Sequence, residues 1–191
     1  MTTTFAPRHR ALAAALTASA LALSACGSTQ PGSTVLEQHG LAGMDATEVV
    51  EHLDTMAVSD RPDTLIASVQ PTELVLTDTT GGSTATLPMP DDTFYLSVAP
   101  YEAATHDCTF HSLTTCLGEM PGESVDVTVT DAAGRTILDE TRTTYDNGFV
   151  GLWLPRDITG TIHIEHDGKA ASTPIATGAD DLTCLTTAQL T

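Results

Sequence analysis

Hydrophobic and polar residues alternate along much of the second half of the chain, with the period of two that is typical of β-strands. Valine occupies every second position in 125–129, and isoleucine alternates with polar residues in 161–166. An Asn-Gly pair at 147–148 and an Asp-Gly pair at 167–168 favour tight turns. Short strands separated by turns predict an antiparallel β-sandwich or barrel-like C-terminal domain over 92–191.

One segment of this domain, 149–154, is apolar on both faces instead of alternating. Strands that are buried on both sides have this pattern, so the sequence predicts a central strand here. The segment contains Trp153, the single tryptophan of the chain, which we expect to be buried in the β core.

The region before residue 92 has the spacing of helices followed by short strands. Asp45 and Glu48 have the arrangement of a capping box, and apolar residues recur at helical spacing after them. Two short β-prone segments follow within 65–77. We therefore predict a small helical or mixed N-terminal domain over 35–91, and a mainly β (α+β) protein as a whole.

The first 25 residues have the features of a signal peptide. Two arginines precede an apolar run at 11–22, which is too short to span a bilayer. Leu-Ser-Ala-Cys at 23–26 has the pattern of a lipobox, so Cys26 is the expected site of lipidation. The alternative is an ordinary secretory peptide in which Cys26 is incidental. Residues 26–34 are expected to hold that lipidated cysteine and a polar tether, which places the protein on the outer face of the cell membrane.

The charge of the chain narrows its range of partners. It has seven basic and 25 acidic residues, and the signal peptide carries two of the basic ones. The mature chain therefore has five basic residues against 25 acidic ones, a net charge of −20. Such a surface disfavours nucleic acid and anionic lipid, so we expect the membrane to be contacted only through the lipid anchor.

The densest ligand chemistry of the chain lies in a stretch with the pattern H-x-C-x2-H-x4-C. Its members are His106, Cys108, His111 and Cys116. We expect Cys184, near the C-terminus, to fold onto this stretch and complete a thiol-rich metal site. With Cys26 lipidated, three cysteines remain, and an odd number in an exported protein indicates a function beyond structural disulfides.

The number and spacing of the cysteines favour copper. The chain lacks the C-x2–4-C pairs of structural zinc sites, and three cysteines are one short of an iron–sulfur cluster. Thiolates select Cu(I), and imidazole suits Cu(II). Two alternatives stay open: a structural Cys108–Cys116 or Cys116–Cys184 disulfide, and histidines that are only polar loop residues. His39 and His52, in the helical region, lack a second ligand and are expected to be exposed.

Four segments resemble the CueP family of exported copper-binding proteins. They are THDCTFHSLTTCLGE at 105–119, NGFVGLWLPRD at 147–157, HDG at 166–168 and DDLTCLTTAQLT at 180–191. The resemblance implies extracytoplasmic copper binding, copper tolerance, transfer of copper to a client protein, and a homodimer. It assigns Cys108, Cys116 and Cys184 as the metal-binding and redox-active cysteines, while His106 and His111 lie inside the matching motif. The lipobox departs from the family and predicts a tethered version.

Three hypotheses follow from these observations. The first is an exported, membrane-tethered protein that sequesters Cu(I) through three cysteines and has no catalytic residues. The second is a thiol-dependent Cu(II) reductase, in which two thiols become a disulfide. The third is a structural lipoprotein whose cysteines staple the β domain and bind no metal.

Overall fold

The computed structural model describes residues 1–4 and 31–191 of the chain. Cys26 and the rest of the predicted lipobox lie outside these residues. No helix in the described part of the chain is both long enough and apolar enough to cross a membrane. The described helices are α1 (Pro31–Gln38), α2 (Ala46–Asp54) and a 3-10 helix at Val58–Asp60. The described strands are β1 (Leu65–Val69), β2 (Glu73–Asp78), β3 (Thr84–Pro88), β4 (Thr93–Val98), β5 (His111–Ser112), β6 (Ser124–Asp131), β7 (Thr136–Thr143), β8 (Val150–Pro155), β9 (Thr159–His166), β10 (Lys169–Ala176) and β11 (Cys184–Leu185).

Helix α2 begins at the capping box that the sequence predicts. The Asp45 side chain accepts a hydrogen bond from the backbone N–H of Glu48, and the Glu48 side chain accepts one from the N–H of Asp45, each at 2.9 Å. Asp54 ends the helix and is completely buried, a position that a carboxylate occupies only when its charge is compensated. Helix α1 begins at Pro31, within the predicted tether.

The strands of the described region form three sheets. Their strand orders are β3-β2-β1-β5, β10-β9-β6-β7 and β11-β4-β8. Neighbouring strands run antiparallel except β11, which pairs with β4 in parallel. The predicted turns are present: Asp167 and Gly168 both have positive φ, 49° and 80°, between β9 and β10.

Two of the sheets pack face to face around one hydrophobic core. Alternate residues of β6 and β9, such as Val127 and Ile164, are fully buried in it. Phe94 of β4 and Leu152 of β8 contribute to the same core from the other sheet. The apolar residues of the predicted alternation therefore form the buried face of an antiparallel β-sandwich. The predicted mainly β fold is confirmed.

A second core lies on the opposite face of the β4–β8 sheet, because successive side chains of a strand point to opposite sides. It joins α2 to β1 and β2 and includes Tyr95 and Leu113. The β4–β8 sheet is thus buried on both faces, as the apolar segment 149–154 predicts. Strand β8 is nevertheless an edge strand of its sheet, not the central strand that the sequence predicts.

Two side chains differ from their predicted burial. Trp153 is half-buried and not enclosed in the β core, since its Nε1–H donates to Glu51 Oε1 of α2 at 2.8 Å. An indole N–H needs a polar partner. On the side of the sheet that faces α2, Glu51 provides that partner near the surface. His39 is half-buried and forms a hydrogen bond with Asp78 Oδ2 at 3.1 Å, whereas His52 is exposed as expected.

Two very short strands position the cysteine-rich stretch. Strand β5 pairs with β1 and sets His111 opposite Val69, and β11 pairs with β4 and sets Cys184 opposite Ser97. Two residues are too few to show a period of two in the sequence, so only their pairing with longer strands defines them.

Candidate metal centre

The three cysteines of the described region converge in one small cluster. Cys108 lies in the loop before β5, Cys116 in the turn after it, and Cys184 begins β11. Cys116 is held by its backbone N–H, which donates to Ser112 O at 3.1 Å, while the Ser112 N–H approaches Cys116 Sγ at 3.4 Å. Folding therefore brings Cys184 onto the 105–118 stretch, as the sequence analysis expects.

Cys108 and Cys184 form a disulfide, and Cys116 is a free, buried cysteine beside it. The Sγ atoms of Cys108 and Cys116 are 3.7 Å apart. Neither pair that the sequence analysis names as a structural disulfide, Cys108–Cys116 or Cys116–Cys184, is bonded. The observed partners are 76 positions apart, so the pairing depends on the packing of β11 against β4 and cannot be deduced from local spacing.

His111 is completely buried behind the sulfurs and is fixed by a carboxylate. Its Nε2 lies 2.9 Å from Asp54 Oδ1, and its Nδ1 lies 3.9 Å from Cys184 Sγ. The imidazole also packs against the ring of Phe149, with 4.6 Å between centroids. The Asp54 contact orients the ring so that Nδ1 faces the cysteines.

Asp54 itself is surrounded by hydrogen-bond donors. Besides His111, it accepts from Tyr95 Oη at 2.5 Å and from Asn147 Nδ2 at 2.7 Å. Asp54, Tyr95 and Asn147 are not among the site residues predicted from the sequence. Asp54 is 57 positions from His111. In the sequence it has the pattern of a polar residue at the end of a helix, so no local pattern could have revealed its contact with His111.

Burial and neighbouring charges shift the pKa values of His111, Asp54 and Cys116. Burial disfavours the imidazolium, but the charge and hydrogen bond of Asp54 outweigh it and raise the pKa of His111 to about 9. Burial also raises the pKa of the Asp54 carboxyl, yet the charge of His111 and three hydrogen bonds lower it overall. For Cys116, burial opposes ionisation, but the hydrogen bond and charge of His111 lower the pKa of the thiol.

Arg61 supplies a further positive charge next to Cys116. Its Nη1–H donates to the carbonyl oxygen of Cys116 at 2.9 Å, and the side chain is only 9% exposed. Its Nε and Nη2 have no hydrogen-bond partner among the described residues. Burial lowers the pKa of Arg61, while the negative charges of Asp54 and Cys116 oppose that shift.

His106 lies at the exposed side of the cluster, with its ring 6.2 Å from that of Phe149. The five predicted site residues thus lie together, and two groups of three have ligand atoms within 4.8 Å of one another. One group is His106, Cys108 and Cys116, and the other is His111, Cys116 and Cys184. Thiolate and imidazole ligands of this kind could hold copper or zinc.

Comparison with known proteins identifies the family. The family model described as "Periplasmic copper-binding protein CueP" matches residues 48–189, well over half of the chain. A solved structure, "Crystal Structure of S.CueP", is 45% identical, with a TM-score of 0.77 over 83% of this chain and 96% of that one. No curated protein matches. The chain belongs to the CueP family of periplasmic copper-binding proteins.

Proposed function

We propose that the mature chain binds Cu(I) outside the cell membrane through the thiolates of Cys108, Cys116 and Cys184. The observation that supports this most is the convergence of the three sulfurs: one pair is 3.7 Å apart and another is bonded. Three thiolates about 2.3 Å from a metal lie about 4 Å from one another. Small movements after reduction of the disulfide would therefore complete a trigonal site.

Cu(I) suits this set of ligands better than other metal ions. The family to which the chain belongs binds copper. Soft thiolate ligands favour Cu(I), the reduced ion. Cys116 is 9% exposed and Cys184 is 1% exposed, so water and competing thiols have little access to a bound ion. His106 and His111 are proposed as additional ligands: imidazole suits Cu(II) well and contributes less than the three thiolates to the binding of Cu(I).

The disulfide makes copper binding depend on redox state. Two electrons and two protons from a thiol reductant convert the Cys108–Cys184 disulfide into two thiols, which lose their protons when Cu(I) binds. In the oxidised chain, Cys116 is the one thiol among the described residues. We therefore expect the oxidised form to hold Cu(I) weakly.

The same disulfide favours a second candidate function, the reduction of Cu(II). Two Cu(II) ions would each accept one electron while the thiolates of Cys108 and Cys184 join as a disulfide. The products are two Cu(I) ions and the bonded pair. Cys116 would remain a thiolate and keep one Cu(I) ion at the site.

Localisation at the membrane is a separate part of the proposal. Family members are periplasmic, and we propose that lipidation of Cys26 tethers this chain to the outer face of the membrane. Sequestration of Cu(I) there would provide copper tolerance, and a client protein would accept the ion. Homodimerisation stays a prediction.

Counting thiols and copper in the anaerobically reduced protein tests the proposal and separates the two functions. Sequestration predicts one Cu(I) per chain and three thiols that are protected from alkylation. Reduction predicts that two thiols disappear for every two Cu(II) ions added. A purely structural role predicts no bound copper and no change in the thiol count when copper is added.

Variants then test whether three thiolates are needed. Cys184→Ser should weaken Cu(I) binding about as much as Cys108→Ser in competition with a Cu(I) chelator. His52→Ala, which changes an exposed histidine outside the cluster, is the matched control. Unchanged affinity in Cys184→Ser would leave only a local site at Cys108 and Cys116, or no copper function.

A further inference from the structure

The ligands at the centre form two sites that share one sulfur. His106, Cys108 and Cys116 make up the outer site, and His111, Cys116 and Cys184 make up the inner site. Within each site the ligand atoms lie within 4.8 Å of one another. Metal bonds of about 2.0–2.3 Å place the ligands of a trigonal site about 3.5–4 Å apart, so each site needs only a small contraction.

The two sites differ in their access to solvent. In the outer site, His106 is exposed and Cys108 is half-buried. In the inner site, His111 is 0% exposed and Cys184 is 1% exposed. Cys116 lies between the outer site and the inner site. An ion from solvent therefore reaches the outer ligands before the inner ones.

The two sites also differ in how firmly their ligands are held. The His111 ring is fixed by Asp54, and Cys184 is held in β11, where its backbone N–H donates to Thr109 O at 3.3 Å. The side chain of His106 has no hydrogen bond to any other described residue, and its loop lies on the surface. An exposed outer ligand without a hydrogen bond favours rapid exchange, whereas fixed inner ligands favour retention.

We propose that Cu(I) loads at the outer site and is retained at the inner site, with Cys116 bound throughout; this rests on the proposed copper-binding function. In the reduced chain, Cys184 approaches the ion as His106 leaves it. This exchange ends in the three-thiolate arrangement, with Cys108 still bound, and His111 Nδ1 closes the buried side. Copper stays Cu(I): each incoming thiol releases its proton, and no electron is transferred.

Separate measurement of loading rate and affinity tests this order. The mature chain is reduced with a phosphine, desalted anaerobically and mixed in a stopped-flow instrument with Cu(I) bicinchoninate, whose colour reports transfer. Equilibrium competition with the same chelator gives the affinity, and excess chelator gives the release rate. His52→Ala is the matched control for removal of an exposed imidazole.

His106→Ala should slow loading about tenfold while changing affinity less than about twofold. His111→Ala should do the reverse: affinity falls about tenfold through faster release, and the loading rate is preserved. Because His111 is buried, His111→Gln provides a second variant if the alanine variant does not fold, since its amide nitrogen has the reach of Nε2 toward Asp54.

Each contrary result has a distinct meaning. If His106→Ala loads as fast as the wild type, or lowers affinity as much as His111→Ala, the ordered transfer is wrong while Cu(I) binding stands. If the reduced wild-type chain takes no Cu(I) from the chelator, the proposed function fails, and the ordered transfer fails with it.

Discussion

Cys116 is the residue on which the chemistry of the cluster converges. Its sulfur lies beside the Cys108–Cys184 disulfide, its pKa is lowered through His111, and its carbonyl oxygen accepts a hydrogen bond from Arg61. A buried thiol with a lowered pKa is a stronger ligand at neutral pH than an ordinary cysteine, because less free energy is needed to remove its proton.

Replacing Arg61 should raise the pKa of the Cys116 thiol. The guanidinium and the thiolate attract each other, so Arg61→Met removes a charge that favours ionisation. The ultraviolet absorbance of the thiolate, followed against pH in the oxidised chain, should show a midpoint at higher pH. Arg135→Met, which removes an exposed arginine, should leave the midpoint unchanged. An unshifted curve in Arg61→Met would show that Arg61 does not influence the pKa of this thiol.

The stability of the apo protein should fall as pH rises through about 9. The pKa of His111 is raised from about 6.5 in an unfolded chain to about 9 by Asp54, so its contribution is fully present below about pH 6.5 and is lost through the folded pKa. The expected loss is on the order of 3 kcal/mol. Denaturant titrations of the oxidised chain at several pH values provide the measurement, and Cys116→Ser should move the decrease to lower pH because Cys116 also raises the pKa of His111. His111→Asn should remove this alkaline decrease, and a decrease that persists would assign it to another group.

At the scale of elements, helix α2 connects the N-terminal core to the metal centre. Its first residues form the capping box, its apolar face lies in the second core, and its last residue is Asp54. The helix therefore carries the carboxylate that orients His111, although it contributes no proposed copper ligand. Strands β5 and β11 contain two of the proposed ligands, His111 and Cys184.

Removal of the helix cap should destabilise α2 without removing a ligand. Asp45→Ala loses the acceptor for the Glu48 N–H and should lower the free energy of unfolding by about 1 kcal/mol. Chemical denaturation followed by circular dichroism measures the change. His52→Ala, an exposed position on the same helix, should be nearly neutral. Equal stability of the Asp45→Ala variant and the wild type would contradict the capping role.

At the scale of the whole molecule, one covalent bond links the cysteine-rich loop to the C-terminal segment. The Cys108–Cys184 disulfide joins positions 76 apart, and both ends lie next to the β4 layer. Under the proposed three-thiolate function, the disulfide has to be reduced before copper binds, so the chain would lose this covalent bond when it gains the metal.

Reduction of this disulfide should lower the free energy of unfolding by about 2–4 kcal/mol in the absence of copper. Denaturant titration with and without a phosphine reductant measures the difference. Cys116→Ser should retain the reductant effect because it leaves the disulfide intact, whereas Cys108→Ser should lose it. If the reductant changes nothing in the wild type, the bond contributes no stability.

Replacement of Cys26 should release the protein from membranes or leave its signal uncut. The prediction depends on the Leu-Ser-Ala-Cys pattern at 23–26. Cell fractionation and the mass of the mature N-terminus are the measurements. Cys116→Ser controls for the general loss of a cysteine. A processed Cys26→Ser protein that still sediments with membranes would refute the lipid anchor.

The sequence by itself determined the β-sandwich, the capping box of α2 and the tight turns, because alternation and turn chemistry are local properties. It also identified the candidate ligands, since soft side chains are rare and all but Cys184 are concentrated in one stretch. The burial of Trp153 was predicted wrongly because periodicity gives the face of a strand but not what covers that face.

Only the tertiary structure decided which cysteines pair, that His111 rests on Asp54, and that Arg61 reaches the Cys116 carbonyl. These contacts join residues 55 to 76 positions apart. They depend on the packing of strands β5 and β11 and of the last residue of α2 against the β4–β8 layer. The spacing of residues in the sequence does not show which of them this packing brings together. Four of the five candidate ligands are therefore local in the sequence, whereas the position of Cys184 beside them, and the redox state, orientation and charge of the cluster, belong to the fold.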